Sequence, residues 1–178
     1  MSNRLSDEAA DAFKRTDAPV VLAGTKDNRD DFASVTIDYK KADTEALNLM
    51  YHDGKKHLGI VVGDQDAVVN SENRIPAYEE FMEENDLGTP RIYTDIKDYS
   101  DGYNLYPQLV KDGVDGVIVT RDISSVGILN SAMDAGKKVP EDLEIVTASA
   151  TQLASVVRPA LTTIKQPLYD MGAVAMRM

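Results

Sequence analysis

Polar residues that could bind a ligand follow three short apolar segments of this sequence. LGIVV is followed one residue later by Asp64, GVIVT directly by Arg121 and Asp122, and LEIVT one residue later by Ser149. A guanidinium donates paired hydrogen bonds to a carboxylate or phosphate, while carboxylates and hydroxyls exchange hydrogen bonds with hydroxylated ligands. The set predicts ligand binding rather than catalysis, because no neighbouring residue supplies the partner that proton transfer would require.

The end of the chain carries a second set of candidate residues. Tyr169, Ala173 and Arg177 are spaced by four residues and share one face of the helix predicted after Pro167. An aromatic ring and a guanidinium with a small residue between them are typical of surfaces that bind proteins, and the guanidinium suits a phosphate group. This face predicts a docking site for a phosphoprotein. The alternative is an amphipathic terminal helix with buried apolar residues, namely Met171, Val174 and Met178.

Other residues do not indicate an enzyme, a metal site or a cofactor site. His52 and His57 flank a predicted helix end and have no further metal ligands nearby in the sequence. Asp64 and Asp66 lack a partner for acid–base chemistry, and the acidic residues within 79–84 are typical of a solvated helix face. No GxGxxG or GxxxxGKS/T motif follows a predicted strand, so no nucleotide site is indicated. We therefore expect no catalytic residues, no metal and no cofactor.

The segments that must position these residues alternate between strands and helices. Strands are predicted over residues 19–23, 35–39, 58–62, 91–94, 116–120, 143–147 and 161–164. Helices are predicted over residues 7–15, 44–53, 72–85, 101–111 and 123–135 and after Pro167, with Ser6 and Asp43 capping the first two. Repeated strand–helix units with continuously apolar strands indicate a doubly wound α/β architecture. Ligands of such sheets bind beyond the carboxyl ends of the strands, where the polar residues lie.

Composition limits the class of protein. The 178 residues are 43% apolar and 28% charged, as in an ordinary globular chain of one large domain or two small lobes. The net charge of -11 argues against nucleic-acid binding by this segment itself. The apolar runs are too short to span a bilayer, no secretory signal opens the chain, and cysteine is absent. We expect a cytoplasmic protein without membrane contact.

The segments VPEDLEIV and RPALTTIKQPLYDMG carry a family resemblance. In this order they closely resemble the C-terminal region of LacI/GalR-type transcription regulators. The resemblance implies a two-lobed, periplasmic-binding-protein-like effector domain with a small-molecule site between the lobes. Residues 1–40 would form part of an N-terminal lobe, 41–157 the C-terminal lobe, and 158–178 a segment returning to the N-terminal lobe. The N-terminal lobe is expected to be incomplete, and the family's DNA-binding helix-turn-helix head to be absent, as in a fragment or a chain that begins late.

The resemblance also implies the residues of the ligand site. In sugar-responsive relatives an arginine that opens the helix after the first strand of the C-terminal lobe binds ligand hydroxyls, and Arg74 matches it. Arg121 and Asp122 match an Asn-Asp pair of the family, and Ser149 stands where relatives place an aspartate. Many groups that would hold a neutral sugar are thus replaced, and two arginines favour a sugar phosphate. The alternative is that Arg121 pairs with Asp122 or Asp95.

The tail QPLYDMGAVAMR resembles the carbon-catabolite regulators of this family more specifically. In those regulators the seryl-phosphorylated carrier protein HPr docks on the last helix as a coregulator. The positions that receive it match Tyr169, Asp170 and Arg177.

Family members also dimerise through the C-terminal lobe, and a lobe with unpaired sheet edges favours pairing with another chain. We expect a homodimer that uses helix 123–135 and the loop 152–157. The residues expected in this interface are Ile123, Val126, Gln152, Leu153 and Val156.

Two functions follow from these observations. The first is the effector- and coregulator-binding core of a carbon-catabolite regulator, which responds to seryl-phosphorylated HPr and to sugar phosphates and controls DNA through a head outside this chain. The second is a periplasmic-type sugar-binding protein that delivers its ligand to a transporter. An enzyme for ribosyl or phosphosugar chemistry is disfavoured, because no suitable carboxylate follows the strands.

Overall fold

The computed structural model describes residues 4–16, 18–27, 29–67 and 69–178. Residues 1–3, 17 and 28, which belong to the predicted N-terminal lobe, lie outside the described residues. The strands are β1 (Arg4–Leu5), β2 (Val21–Ala23), β3 (Lys26–Asp27), β4 (Ala33–Val35), β5 (Leu58–Val61), β6 (Ile92–Tyr93), β7 (Gly116–Val119), β8 (Glu144–Thr147) and β9 (Thr162–Thr163). The α-helices are α1 (Asp7–Lys14), α2 (Tyr39–His52), α3 (Ile75–Glu84), α4 (Tyr99–Lys111), α5 (Asp122–Asp134), α6 (Gln152–Val156) and α7 (Leu168–Ala175).

The larger sheet has five parallel strands in the order β6-β5-β7-β8-β9. Ile60 is in register with Ile118, and Ile118 with Val146, so the three central strands end at the same edge. These strands are buried along their whole length, because their side chains point alternately into two layers of helices. The predicted doubly wound α/β architecture is confirmed.

Helices α2 and α3 cover one face of this sheet. Leu47, Met50 and Tyr78 are fully buried there against β5 and β7. The Tyr78 hydroxyl donates a hydrogen bond to the Leu58 carbonyl oxygen at 2.9 Å, so this buried polar group has a partner. The layer holds the start of α3 against α2 beside the carboxyl end of β5.

Helices α4 and α5 cover the other face, and their backbones approach each other very closely. A Cβ atom at Gly127 would lie 2.2 Å from the Tyr99 carbonyl oxygen, and one at Gly102 would lie 2.1 Å from the Ser124 carbonyl oxygen. Glycine is therefore required at both positions, because any side chain would collide with backbone atoms. This contact fixes α5, whose first turn follows directly on the carboxyl end of β7.

The N-terminal part contains two small parallel sheets, in which β1 pairs with β3 and β2 with β4. Helix α1 begins as predicted, because the Ser6 hydroxyl caps it by accepting a hydrogen bond from the Ala9 N–H at 3.2 Å. Helix α7 packs on the β2–β4 sheet through Met171, whose Cε would lie 3.7 Å from a Cβ at Gly24. The returning segment thus contacts the N-terminal strands, and the domain boundaries themselves stay a prediction.

Three sequence-based expectations need correction. The strand expected over residues 35–39 ends at Val35, and α2 begins at Tyr39 with Asp38 as its cap. Asp43 is therefore an interior residue of α2 and not its cap, because the capping carboxylate lies five residues earlier. The helix predicted from residue 72 begins as a π-helical turn, Asn70–Arg74, before α3.

The segment 158–178 contacts both the larger sheet and the N-terminal strands. Strand β9 lies within the segment 158–178, which was expected to return to the N-terminal lobe, yet it pairs with β8 as the edge of the larger sheet. Backbone hydrogen bonds to β8 hold these residues at the edge of the larger sheet before the chain continues to α7, and the division of the chain into lobes stays a prediction. None of the helices formed by the described residues has the length and apolar character needed to cross a bilayer.

Candidate functional site

A cleft of about 460 Å³ lies at the carboxyl ends of β5, β7 and β8. Strand order reverses between β5 and β7, and in doubly wound sheets such a reversal opens a crevice for ligands. The volume is in the range of small-molecule sites. Its polar lining residues are Tyr39, Asp64, Asn70, Arg74, Thr120, Arg121, Ser149 and Gln166.

Arg74 lines the cleft but is held by a buried carboxylate. One guanidinium nitrogen, Nη1, donates to both Asp43 carboxylate oxygens, at 2.7 and 3.0 Å, and the guanidinium lies 4.8 Å from the centre of the Tyr39 ring. Arg74 is 4% exposed and Asp43 is completely buried. Burial raises the pKa of Asp43 to about 6, and the charge of Arg74 opposes this rise. The pair is ionised at neutral pH, so Asp43 balances the charge of the arginine.

Arg121 differs from Arg74 because it has no such partner. Its exposed side chain lies across Gly63, where an added Cβ would be 2.8 Å from the Arg121 Cδ. Within the described part of the chain the Arg121 side chain forms no ion pair and no hydrogen bond. The alternative pairing with Asp95 or Asp122 is wrong, since Asp95 pairs with Lys97 at 3.0 Å and Asp122 faces other donors.

Asp122 is buried and ties two loops together. Its carboxylate accepts hydrogen bonds from the Thr151 N–H and hydroxyl, both at 2.6 Å, from the Ser149 N–H at 3.3 Å, and from the Thr147 hydroxyl. These bonds fix the loop after β8 against the start of α5. The expected contact of Asp122 with a ligand stays a prediction, while its observed contacts position Ser149.

The uncharged polar part of the lining comprises Ser149, Asn70, Gln166, Tyr39 and Thr120. The Ser149 hydroxyl donates to the Thr120 carbonyl oxygen at 2.9 Å, the Asn70 amide to the Asp64 carbonyl oxygen at 2.5 Å, and the Gln166 amide to the Ala148 carbonyl oxygen at 3.3 Å. Each donor bond is to the backbone, which fixes the orientation of the side chain. The remaining lone pairs of these groups can accept hydrogen bonds from ligand hydroxyls. Sequence reasoning identified Ser149 and missed both amides, because neither directly follows a strand of the larger sheet.

The predicted docking surface on α7 is strongly exposed. Tyr169 is 88% exposed and Met176 equally so, whereas Met171 is buried against β2. The alternative of a fully packed terminal helix is wrong for two of its three residues, since Val174 and Met178 are 46% and 64% exposed.

The predicted docking residues lie at both ends of α7. Tyr169 and Asp170 line a second cavity of about 530 Å³, which shares Ser149 and Gln166 with the cleft. Arg177 is exposed and follows the end of α7 in a tight turn, so it does not continue the helical face of Tyr169.

The residues predicted for a dimer interface are only partly accessible. Val156 is 64% exposed, Ile123 and Leu153 are each 37% exposed, and Gln152 is exposed. Val126 is 9% exposed, so little of its side chain is accessible to another chain, and its expected contribution to an interface stays a prediction. The dimer itself stays a prediction.

The histidines and carboxylates do not converge on a metal-binding cluster in the described ranges. His52 and His57 are exposed at the end of α2 and before β5.

Comparisons with known proteins extend over the whole chain. A family model for the periplasmic binding protein-like domain matches residues 47–178. The chain is 68% identical to the HTH-type transcriptional regulator pepR1 of Lactobacillus delbrueckii subsp. lactis and 36% identical to catabolite control protein A of Streptococcus mutans. Each match covers 100% of this chain and 54% of the relative, so the chain spans about half the length of these curated relatives.

Solved structures agree with these matches. The transcription regulator CcpA of Lactococcus lactis superposes with a TM-score of 0.84 at 34% identity, covering 98% of this chain and 65% of that chain. A LacI family transcriptional regulator from Lactobacillus casei with bound sucrose superposes with a TM-score of 0.83 at 23% identity, covering 97% of this chain and 66% of that chain. The second likeness shows the shared fold.

Proposed function

This chain belongs to the family of periplasmic-binding-protein-like domains and is homologous to transcriptional regulators, and on that premise we propose that it senses carbon status for gene control. In this proposal it is the effector- and coregulator-binding core of a LacI-family regulator of carbon catabolite repression. Its coregulator is seryl-phosphorylated HPr, its cleft takes a sugar-phosphate effector, and it acts in the cytoplasm as a homodimer. DNA is bound through a helix-turn-helix head outside this chain, and no catalysis is involved.

The exposure of the chain's end is the observation that carries the coregulator proposal. A tyrosine that is 88% exposed has its ring free for a partner, and Met176 beside it adds apolar surface. Aromatic residues and arginine are the side chains enriched where proteins bind most strongly. Arg177 at the end of the same segment can pair with a phosphoserine through a charge-assisted contact. The identity with catabolite control protein A across the whole chain supports HPr as this partner.

Direct binding measurements test the proposal. Isothermal titration calorimetry of this chain with HPr, phosphorylated on serine or unphosphorylated, should show binding of the phosphorylated form alone. Arg177→Ala should weaken this binding roughly 10- to 100-fold, the range for a hydrogen bond to a charged group. Lys111→Ala removes an exposed cation at the end of α4 and should leave binding unchanged. Equal affinity for the two forms of HPr, or no effect of Arg177→Ala, would contradict the proposal.

The periplasmic carrier is the second candidate, and the comparisons favour it less. The relatives above 30% identity named here are transcription regulators, while the shared two-lobed fold is common to both classes.

A further inference from the structure

The positive charge that a ligand would meet in the cleft is smaller than its two arginines suggest. Two arginines line it, but the guanidinium of Arg74, which is 4% exposed, is bound to the completely buried Asp43 at 2.7 and 3.0 Å. A carboxylate this close cancels most of the field of the guanidinium at the positions where a ligand would lie. At neutral pH the carboxyl of Asp43 is ionised, since its pKa is about 6. Arg74 therefore offers hydrogen-bond donors without a net charge.

Arg121 is the cation in this lining whose charge is not balanced by a paired carboxylate in the described ranges. It lies across Gly63 at the point where the strand order reverses, and its guanidinium is exposed to the cleft. Exchanging water for a ligand phosphate or carboxylate would give it a bidentate partner.

Besides Arg74 and Arg121, the described residues of the lining include no cation that could bind a second anionic group. Asp64 lines the same cleft, and its carboxylate accepts a hydrogen bond from the Asp66 N–H at 3.1 Å. The remaining polar lining consists of the amides of Asn70 and Gln166 and the hydroxyls of Tyr39, Thr120 and Ser149. These neutral groups suit hydroxyls and do not balance a negative charge.

We propose that the cleft selects a polyhydroxylated ligand with a single anionic group, which Arg121 binds, while the hydroxyls contact Arg74 and the neutral side chains. Arg121 is then the residue that determines charge specificity. Asp43 acts through Arg74 as a positioning residue, because it withholds the second positive charge. This inference rests on the proposed role of the cleft as an effector site. The anionic group can be a phosphate or a carboxylate, since a guanidinium binds both.

Calorimetry of the full chain with five probes tests the preference for a single anionic group, which is called the charge rule below. Glucose 6-phosphate and gluconate represent the two sources of a single anionic group, glucose has none, fructose 1,6-bisphosphate has two, and inorganic phosphate has no carbon chain. At least one of the first two should bind roughly 10- to 100-fold more tightly than glucose and than inorganic phosphate. The preferred source is the one with the lower Kd. The bisphosphate should bind no more tightly than glucose 6-phosphate.

Variants assign the effect to Arg121. Arg121→Asn should remove the preference for the anionic probe over glucose, whereas Arg121→Lys should retain part of the preference. Lys137→Asn removes an exposed cation just after α5 and should change neither affinity. A bisphosphate that binds tenfold more tightly than the monophosphate would overturn the proposal, as would an anion preference that survives Arg121→Asn.

The failure of this inference is distinguishable from that of the proposed function. If the polyols bind without regard to charge, the cleft is an effector site and only the charge rule is wrong. If none of the five probes binds, both the charge rule and the effector role of the cleft are wrong. Binding of HPr is measured separately on α7, so the coregulator role is judged by its own experiment.

Discussion

Replacement of Arg74 by methionine should make the stability of this protein fall with pH above about pH 6. Methionine keeps much of the buried volume but removes the positive charge that lies 2.7 Å from the Asp43 carboxylate. Burial raises the pKa of Asp43 to about 6 in the presence of Arg74, and Arg74 is the group that opposes the rise. Its removal should therefore raise the pKa of Asp43 further.

The sign and size follow from proton binding. An aspartate of the unfolded chain has a pKa of about 3.9, so the native carboxyl binds its proton more tightly than the unfolded one. The free energy of unfolding then falls by about 1.4 kcal/mol for each pH unit between the two pKa values. In the wild type this decline covers about two units, amounts to about 3 kcal/mol and ends as the pH rises through about 6. In Arg74→Met the pKa of Asp43 is higher, so the carboxyl keeps its proton to a higher pH and the decline continues above pH 6.

The difference in stability between wild type and variant should thus grow from pH 6 to pH 8, by at most about 3 kcal/mol. Such a change is a large part of the total stability of an ordinary domain, which is about 5 to 15 kcal/mol. Urea unfolding followed by far-UV circular dichroism, in steps of half a pH unit from pH 5 to pH 8, gives the free energy of unfolding of both proteins at each pH. The two values can be compared if wild type and variant have the same m-value.

Two controls isolate the buried pair. The double variant Asp43→Asn with Arg74→Met has no titrating carboxyl at this site, so its difference from the wild type should not grow above pH 6. Lys40→Met breaks an exposed ion pair with Glu80 and should show no trend over the same range. A constant difference between wild type and Arg74→Met from pH 6 to pH 8 would refute the reasoning.

Three further predictions concern other parts of the molecule. Gly127→Ala should lower the free energy of unfolding by about 1–3 kcal/mol or more in urea titrations, because its Cβ would collide with the α4 backbone, whereas Gly172→Ala meets no atom within 4 Å and should be neutral or stabilising. Light scattering should give a dimer for the wild type and a monomer for Val156→Glu, and a monodisperse wild-type monomer would disprove the predicted dimer. Gly63→Ala should weaken binding of an anionic ligand by calorimetry, since the new Cβ forces the side chain of Arg121 to move, and an unchanged Kd would show that this position is unimportant.

Much of the architecture was predictable because it depends on local patterns. Continuous apolar segments of four or five residues between amphipathic segments indicate buried parallel strands, and β5, β7 and β8 form where LGIVV, GVIVT and LEIVT predict them. The polar residues Arg121 and Ser149 line the cleft because parallel strands end at one edge of the sheet. The resemblance in VPEDLEIV and RPALTTIKQPLYDMG to LacI/GalR-type regulators is confirmed by relatives matched over the full chain.

The start of a helix was less predictable where two possible capping residues lie close together. Asp38 and Asp43 are both suitable helix caps, and the alternating apolar residues before α2 favoured the later one. Val126 is apolar and lies on the helix expected at the interface, but spacing alone does not show which face of α5 is already covered.

The sequence by itself determined the fold class, the family and the edge of the sheet where the polar residues meet, since each depends on residues close together in the chain. The tertiary structure decided which of these residues are still available to a ligand. Asp43 and Arg74 are 31 positions apart, and their pairing appears only when α2 and α3 pack on the same face of the sheet. Asp122 and Thr151, 29 positions apart, meet in the same way. Contacts across such distances are fixed by packing, which no local pattern encodes, and they leave Arg121 as the free cation among the described residues of the cleft.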